Sequence, residues 1–291
     1  MKIKDKLKSS VLSFSFEVFP PKTNTSLDSV KTATEEIAKL RPSFMSVTYG
    51  AGGGTSEYTL DIAKNIQKLY NVPTVAHLTC VSSTKETVKE QIKKIHDAGI
   101  ENVLALRGDL PAGYTADEKT QFVHAAQLVR ELKESGFDFC IGGACYPEVH
   151  PESLNQKEDI KYLKEKVDAG CDFLTTQMFF DNNLLYNFLY KIREAGITVP
   201  VVAGIMPITN ANQVERAIKL SGAFVPQRFK SLVDKFGCDP DAMRQAGIAY
   251  ATDQIIDLFA NNITNVHVYS MNKPEVAEAI QNNLSSILGK S

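Results

Sequence analysis

Residues 97–111 read Asp97-Ala98-Gly99-Ile100-Glu101-Asn102-Val103-Leu104-Ala105-Leu106-Arg107-Gly108-Asp109-Leu110-Pro111. They hold one full junction of the fold: a helix stop, a buried strand and a charged strand end. Glycine just past a helix takes the left-handed conformation that residues with a Cβ resist, so Asp97-Ala98-Gly99 closes a helical pattern. Asn102 to Arg107 then reads as a short apolar strand. Under the two-residue period of a strand, positions 103, 105, 107 and 109 share one face, and 104, 106 and 110 the other. Arg107 and Asp109 are therefore expected to leave the strand on the same side. They form either an ion pair that closes the strand end or a paired site that meets a ligand. The Arg-Gly-Asp triplet also spells an integrin ligand, but that needs an exposed loop on a secreted protein, which nothing in the sequence supports.

The same punctuation recurs at Glu134-Ser135-Gly136, Asp168-Ala169-Gly170, Glu194-Ala195-Gly196 and Leu220-Ser221-Gly222. Between the stops, strands are predicted at Ser13–Phe19, Phe44–Thr48, Pro73–Thr79, Asn102–Arg107, Asp138–Ala144, Asp172–Met178, Val199–Ile205 and Asn265–Ser270. Helices are predicted at 26–40, around Ile62, Ile66 and Leu69, and at 84–98, 120–135, 158–169, 183–195, 212–220, 243–259 and 274–288. Eight strands alternating with helices, without a linker or a break in composition, predict a single-domain (β/α)8 TIM barrel over residues 1–291. An open doubly wound sheet is the alternative. The longest interval, from strand seven to strand eight, carries Phe224-Val225-Pro226-Gln227-Arg228-Phe229 and an extra helix, and is expected at the active-site rim or at an oligomer contact.

Composition bounds the function. With 43% hydrophobic and 23% charged residues the chain is ordinarily globular, and a net charge of -2 does not suit a nucleic-acid surface. No apolar run reaches the roughly 20 residues of a membrane span. The basic Met1–Lys6 start lacks the apolar segment and cleavage site of a signal peptide. Five scattered cysteines, Cys80, Cys140, Cys145, Cys171 and Cys238, read as reduced core thiols of a cytoplasmic protein. His77 and Cys80 alternate to opposite faces and no CxxC or HExxH spacing occurs, so no metal site is expected.

In such barrels chemistry sits at the carboxyl ends of the strands. Those ends carry Glu17, Thr48, His77, Asp109, Tyr146, Gln177 and Tyr269. Alternation turns Glu17 away from Phe16 and Val18, His77 away from Ala76 and Leu78, and Tyr269 away from Val268, hence into the lumen. Taken singly, each could be a cap, a core histidine or a polar filler. Their assembly on one rim favours a site with a carboxylate pair, a histidine and an arginine. The loop Gly50-Ala51-Gly52-Gly53-Gly54 lacks the G-x-G-x-x-G spacing of a dinucleotide fingerprint.

Eight runs carry a resemblance to the methylenetetrahydrofolate reductases, one at each strand end across nearly the whole chain. They are Ser15-Phe16-Glu17-Val18-Phe19-Pro20-Pro21-Lys22, Ser46-Val47-Thr48-Tyr49-Gly50-Ala51, His77-Leu78-Thr79-Cys80 and Ala105-Leu106-Arg107-Gly108-Asp109-Leu110-Pro111. Tyr146-Pro147-Glu148-Val149-His150-Pro151, Thr176-Gln177-Met178-Phe179-Phe180-Asp181, Gly204-Ile205-Met206-Pro207 and Tyr269-Ser270-Met271-Asn272 complete them. The chain resembles the catalytic barrel of that family, without the regulatory domain of its eukaryotic members.

The resemblance implies ping-pong hydride transfer from NADH or NADPH through FAD to methylenetetrahydrofolate, in one-carbon and methionine metabolism. It implies Glu17 as general acid and Asp109 as the carboxylate beside flavin and pterin. By position, FAD contacts fall on Tyr49, Ala51, His77, Arg107, Gly108, Asp109, Tyr146, His150, Asp159 and Lys166. Substrate contacts fall on Thr48, Gln177, Tyr269 and Lys273. A cytoplasmic homo-oligomer, dimer or tetramer, is implied as well. Four residues depart from the familiar pattern. Tyr162 and Glu165 replace Asn and Arg near the adenosine end of FAD. Lys273 replaces an Arg at the folate tail, keeping the charge but not the fork. Ala211 replaces an aromatic that packs on nicotinamide or folate. Ala211 motivates the alternative of a folate-reducing flavoprotein subunit fed by a partner protein.

Overall fold

A computed structural model describes residues 1–9, 11–21, 27–49, 56–110, 113, 115 and 117–289. Eight parallel strands close into a barrel in chain order: β1 (Ser13–Val18), β2 (Met45–Val47), β3 (Thr74–Thr79), β4 (Asn102–Leu106), β5 (Cys140–Cys145), β6 (Phe173–Thr176), β7 (Val201–Ile205) and β8 (Asn265–Val268). The ring is shut by β1 beside β8, with Ser13 opposite Asn265 and Phe16 opposite Val268. The doubly wound alternative is thereby excluded.

The two-residue period sorts the side chains into two layers. Phe14, Phe16, Val18, Met45, Val47, Ala76, Leu78, Val103, Ala105, Val266 and Val268 join one apolar cluster with the inner faces of the surrounding helices. The opposite face points into the lumen, whose lower part is filled by Phe44, Val75, Leu104, Cys140, Phe173 and Val202. Buried on both sides, β4 and β7 read as nearly continuous apolar runs, whereas β1 and β8 alternate because their lumen faces carry polar residues.

The helices begin where side chains cap them. Thr84 Oγ1 accepts from Thr87 N at 3.1 Å ahead of α4 (Lys85–Asp97), and Asn155 Oδ1 accepts from Glu158 N at 3.0 Å ahead of α6 (Gln156–Asp168). The five predicted stops hold: Gly99, Gly136, Gly170, Gly196 and Gly222 all take positive φ, from 67° to 126°. One helix starts later than its periodicity suggests. Thr84 and Gln121 form an antiparallel bridge, and Gln127 Oε1 accepts from Val123 N and His124 N. These bonds hold residues 121–124 outside α5 (Ala125–Glu134).

Two helices are additions to the predicted set. The short α1 (Ile3–Leu7) stoppers the lower end of the barrel: Ile3 and Leu7 join the lumen cluster, and Asn102 Oδ1 accepts from Ile3 N at 2.8 Å. The interval between β7 and β8 holds α8 (Asn212–Ser221), α9 (Gln227–Phe236) and α10 (Pro240–Ala260). Phe229, Met243 and Tyr250 of α9 and α10 pack against Met178, Phe180 and Ile208 after β6 and β7. This interval therefore flanks the rim of the barrel, one of its two predicted places.

Candidate active site

A cavity of about 960 Å³ opens over the carboxyl ends of the strands. Its floor is a polar ladder made by the lumen-facing residues of β1, β2 and β8. Ser15 Oγ donates to the Val266 carbonyl at 3.0 Å and lies 2.8 Å from His267 Nδ1; Ser46 Oγ lies 2.9 Å from His267 Nε2. With the Ser15 proton spent on the carbonyl, ring Nδ1–H donates to Ser15, and Ser46 donates to Nε2. His267 is thus neutral, and burial, reinforced by His77, holds its pKa down to about 3.

One layer above sit Glu17 and His77. Glu17 Oε2 is 3.7 Å from His77 Nε2, and that nitrogen has no hydrogen-bond partner among the described residues. Burial pushes the Glu17 carboxyl up to about 8 and His77 down to about 4. Only 21% of the Glu17 side chain is exposed, and it faces the cavity. Between those values both groups are uncharged, so the contact is no ion pair. A carboxylic acid that keeps its proton at neutral pH stands on the cavity floor.

Around it, Tyr269 Oη donates to the Thr176 carbonyl at 2.6 Å, and burial with the nearby Glu17 holds its phenol protonated. Gln177 Oε1 accepts from Met178 N at 2.9 Å, which fixes the amide and leaves its NH2 available to the cavity. Thr48, after β2, also lines the cavity.

The other end of the cavity is charged. β4 ends at Leu106, and Gly108 turns the chain with φ 91°; a Cβ there would also stand 2.6 Å from Val81 Cγ1. The turn breaks the strand alternation on which the Arg107–Asp109 pairing rested. Arg107 instead forks onto Glu152 at 2.6 and 2.7 Å, and Asp109 stands exposed at the rim. His150 Nδ1 accepts from Glu152 N at 3.1 Å. Asp159 accepts from His150 N at 3.2 Å and from Ser153 Oγ at 3.3 Å, so the loop is tied down at both ends. Lys166 donates to the Ala144 carbonyl, its pKa lowered by burial. Tyr146 meets His150 edge to face, with ring centres 4.6 Å apart.

Of the expected site residues, Glu17, Thr48, His77, Arg107, Gly108, Asp109, Tyr146, His150, Asp159, Lys166, Gln177 and Tyr269 line this one cavity. Tyr49 packs against the apolar layer under the helices instead. Lys273 Nζ bonds Thr209 Oγ1 at 2.9 Å beyond the cavity lining. Ala51 lies outside the described residues. Tyr162 and Glu165 also border the cavity, on α6. Sequence reasoning overlooked Ser15, Ser46 and His267, although they share the lumen face with Glu17, Thr48 and Tyr269. It also overlooked Glu152, which no periodicity marks.

The methylenetetrahydrofolate reductase family matches residues 2–285. The chain is 35% identical over 303 aligned residues to methylenetetrahydrofolate reductase (NADH) 1 of Arabidopsis thaliana, covering 99% of this chain and 51% of that protein. It is 38% identical to methylenetetrahydrofolate reductase 1 of Schizosaccharomyces pombe, covering 96% and 48%. It is 34% identical to 5,10-methylenetetrahydrofolate reductase of Escherichia coli, covering 92% and 89%. The chain thus spans about half the length of the plant and yeast relatives. In fold it is similar to a Clostridium thermocellum protein described as binding two copies of 5-methyl-5,6,7,8-tetrahydrofolic acid, with a TM-score of 0.70 and 13% identity, over 99% of this chain and 100% of that one. With eight parallel strands closed in the predicted order and a family match along almost its whole length, the chain belongs to the methylenetetrahydrofolate reductase family.

Proposed function

We propose that the chain reduces 5,10-methylenetetrahydrofolate to 5-methyltetrahydrofolate, with NADH or NADPH as donor and FAD as the bound carrier, in two half-reactions. The observation that carries this reading is the largely buried Glu17 carboxyl, 3.7 Å from His77 and facing the cavity of a barrel of this family. Donor chemistry suits the carrier: Arg107 and Lys166 at one end match anionic groups, and the neutral amide and hydroxyls of Gln177, Thr48 and Tyr269 at the other match a flat polar ring. When bound, FAD would supply the hydride chemistry.

The chain's own residues supply the rest. The methylene carbon of the substrate is a neutral aminal and accepts hydride poorly. Breaking its bond to N10 leaves an iminium cation at N5 and an amine at N10 that needs a proton. Glu17 gives that proton and is left as a carboxylate. Asp109, at the rim, supplies fixed negative charge to the cation. Gln177 and Thr48 orient substrate and nicotinamide, and Tyr269 and Lys273 serve the folate. The phenylalanine-rich outer face of β1 and the filled lower lumen keep water from Glu17 on all but the cavity side.

Ala211 carries the second reading. It is the N-cap residue of α8, packed toward Gly237 and outside the cavity lining, so no aromatic reaches the cavity from this position. In that reading a partner protein delivers the electrons. An anaerobic flavin spectrum separates the two. Bleaching by NADH or NADPH and recovery on methylenetetrahydrofolate supports direct use. Recovery only after chemical reduction supports the partner. A protein that takes up no FAD refutes both. The reading carries with it a cytoplasmic homo-oligomer, dimer or tetramer, for which scattering mass is the check.

A further inference from the structure

The charged end of the cavity holds an anion of the protein's own. Arg107 is 21% exposed in its side chain and spends both terminal nitrogens on the two Glu152 oxygens, at 2.6 and 2.7 Å. This is the planar fork that Arg offers to carboxylates and phosphates alike. Glu152 is not a stray surface partner. Its backbone is held by His150, and the loop by Asp159, so the carboxylate is aimed at the fork from a tethered segment. The same end of the cavity is lined by His124, Gln127 and Arg130, a setting with room for further anionic groups.

We propose that Glu152 is the specificity residue of this anion seat: it fills the Arg107 fork until a phosphate-bearing ligand displaces it. The inference rests on the reading of the cavity as a cofactor site, and adds the term against which the cofactor's phosphate must compete. A ligand carboxylate that takes the fork only exchanges one carboxylate for another and gains little. A phosphate brings more charge and more acceptor oxygens, so the exchange favours it. Glu152 itself is 54% exposed in its side chain and can turn out to solvent once released.

The test is equilibrium binding of FAD, riboflavin and inorganic pyrophosphate to the full chain stripped of flavin, by flavin fluorescence and calorimetry. The proteins are wild type, Glu152→Gln and Glu152→Asp, each with its melting temperature measured. Removal of one exposed carboxylate from an arginine fork is worth roughly a two- to fivefold gain in affinity. Glu152→Gln is expected to bind FAD and pyrophosphate more tightly by that factor, with riboflavin unchanged and Glu152→Asp in between. Weaker FAD binding by Glu152→Gln would make Glu152 a residue that positions Arg107 and would overturn the proposal, as would unchanged binding. Tighter pyrophosphate with no FAD binding keeps the anion seat and removes the flavin reading. FAD binding that ignores Glu152 keeps the flavin and removes the seat. A folded protein that binds neither refutes both.

Discussion

Glu17 Oε2 and His77 Nε2 stand 3.7 Å apart on the cavity floor, and neither carries charge at neutral pH. Burial acts in the same direction on both, disfavouring the charged form of each, so a proton stays on the carboxyl rather than moving to the imidazole. The pair therefore stores an acid, not a base. Glu17→Gln keeps the shape and removes the proton. Folate reduction is expected to fall by about 10²–10⁴-fold, the usual weight of a general acid, with FAD retained and its reduction by NADH near wild type. In wild type the folate half-reaction should decline as pH rises through about 8 and Glu17 ionises. Rapid-reaction traces of the two half-reactions check both statements. A variant that turns over folate normally would remove Glu17 from the acid role.

Gly247 brings α10 against the backbone of Ile208 after β7. A Cβ there would land on the Ile208 carbonyl oxygen, a backbone atom that has no rotamer to yield. Alanine in a helix is worth up to ~1 kcal/mol over glycine, but steric overlap with fixed backbone costs more, about 1–3 kcal/mol. Gly247→Ala is expected to lower the melting temperature despite its better helix propensity. Because Ile208 follows β7, and Met206 lines the cavity just before it, substrate KM should rise as well. A more stable variant with unaltered KM would mean that α10 slides away freely.

The barrel was legible because its signals are local. Period-two alternation placed Glu17, His77 and Tyr269 in the lumen, and the five glycine stops counted the units. What stayed hidden depends on distant partners or on broken period. Arg107 shares a strand face with Val103 and Ala105, which look outward, and it reaches the cavity only because Gly108 ends the strand geometry. Its partner Glu152 sits 45 residues away in a loop. The α9 stripe of Phe229, Leu232, Val233 and Phe236 was readable at helical spacing. So was the Ile3–Leu7 pair of α1, four residues apart. Both helices are short, and short helices take their stability from the surface that they cover.

Asn102 ties that α1 stopper to the barrel. Its Oδ1 accepts from Ile3 N at 2.8 Å, and its Nδ2 donates to the Met1 carbonyl at 3.1 Å and the Thr74 carbonyl at 3.0 Å. The side chain is buried, so Asn102→Ala removes the side-chain partner of three backbone groups and opens a gap under Leu104. A loss of about 2–4 kcal/mol is expected. Hydrogen exchange should show residues 1–9 released first, while FAD binding at the far end of the barrel persists. Unchanged protection of Ile3 N would mean that α1 holds by its apolar contacts alone.

The buried titratable column also sets how stability depends on pH. Glu17 has its folded pKa raised from 4.5 to about 8, so its contribution is full below 4.5 and is lost as pH rises through 8. His77 and His267 have theirs lowered from 6.5 to about 4 and about 3, so their contributions are full above 6.5 and are lost as pH falls through those values. Between pH 4.5 and 6.5 the unfolded chain binds two more protons on the histidines and one fewer on Glu17, a net excess of one. Stability should therefore climb with pH by up to about 1.4 kcal/mol per unit. Of these three groups only Glu17 still differs between 6.5 and 8, so their combined slope reverses and has its maximum near 6.5. Water in the cavity shallows the Glu17 limb most, since that side chain is the most exposed of the pair at 21% against 7% for His77. Urea unfolding at pH 5, 6.5 and 8 measures both limbs. Glu17→Gln should flatten the alkaline limb and leave the acid limb, and an alkaline limb that survives the substitution would assign it to other groups.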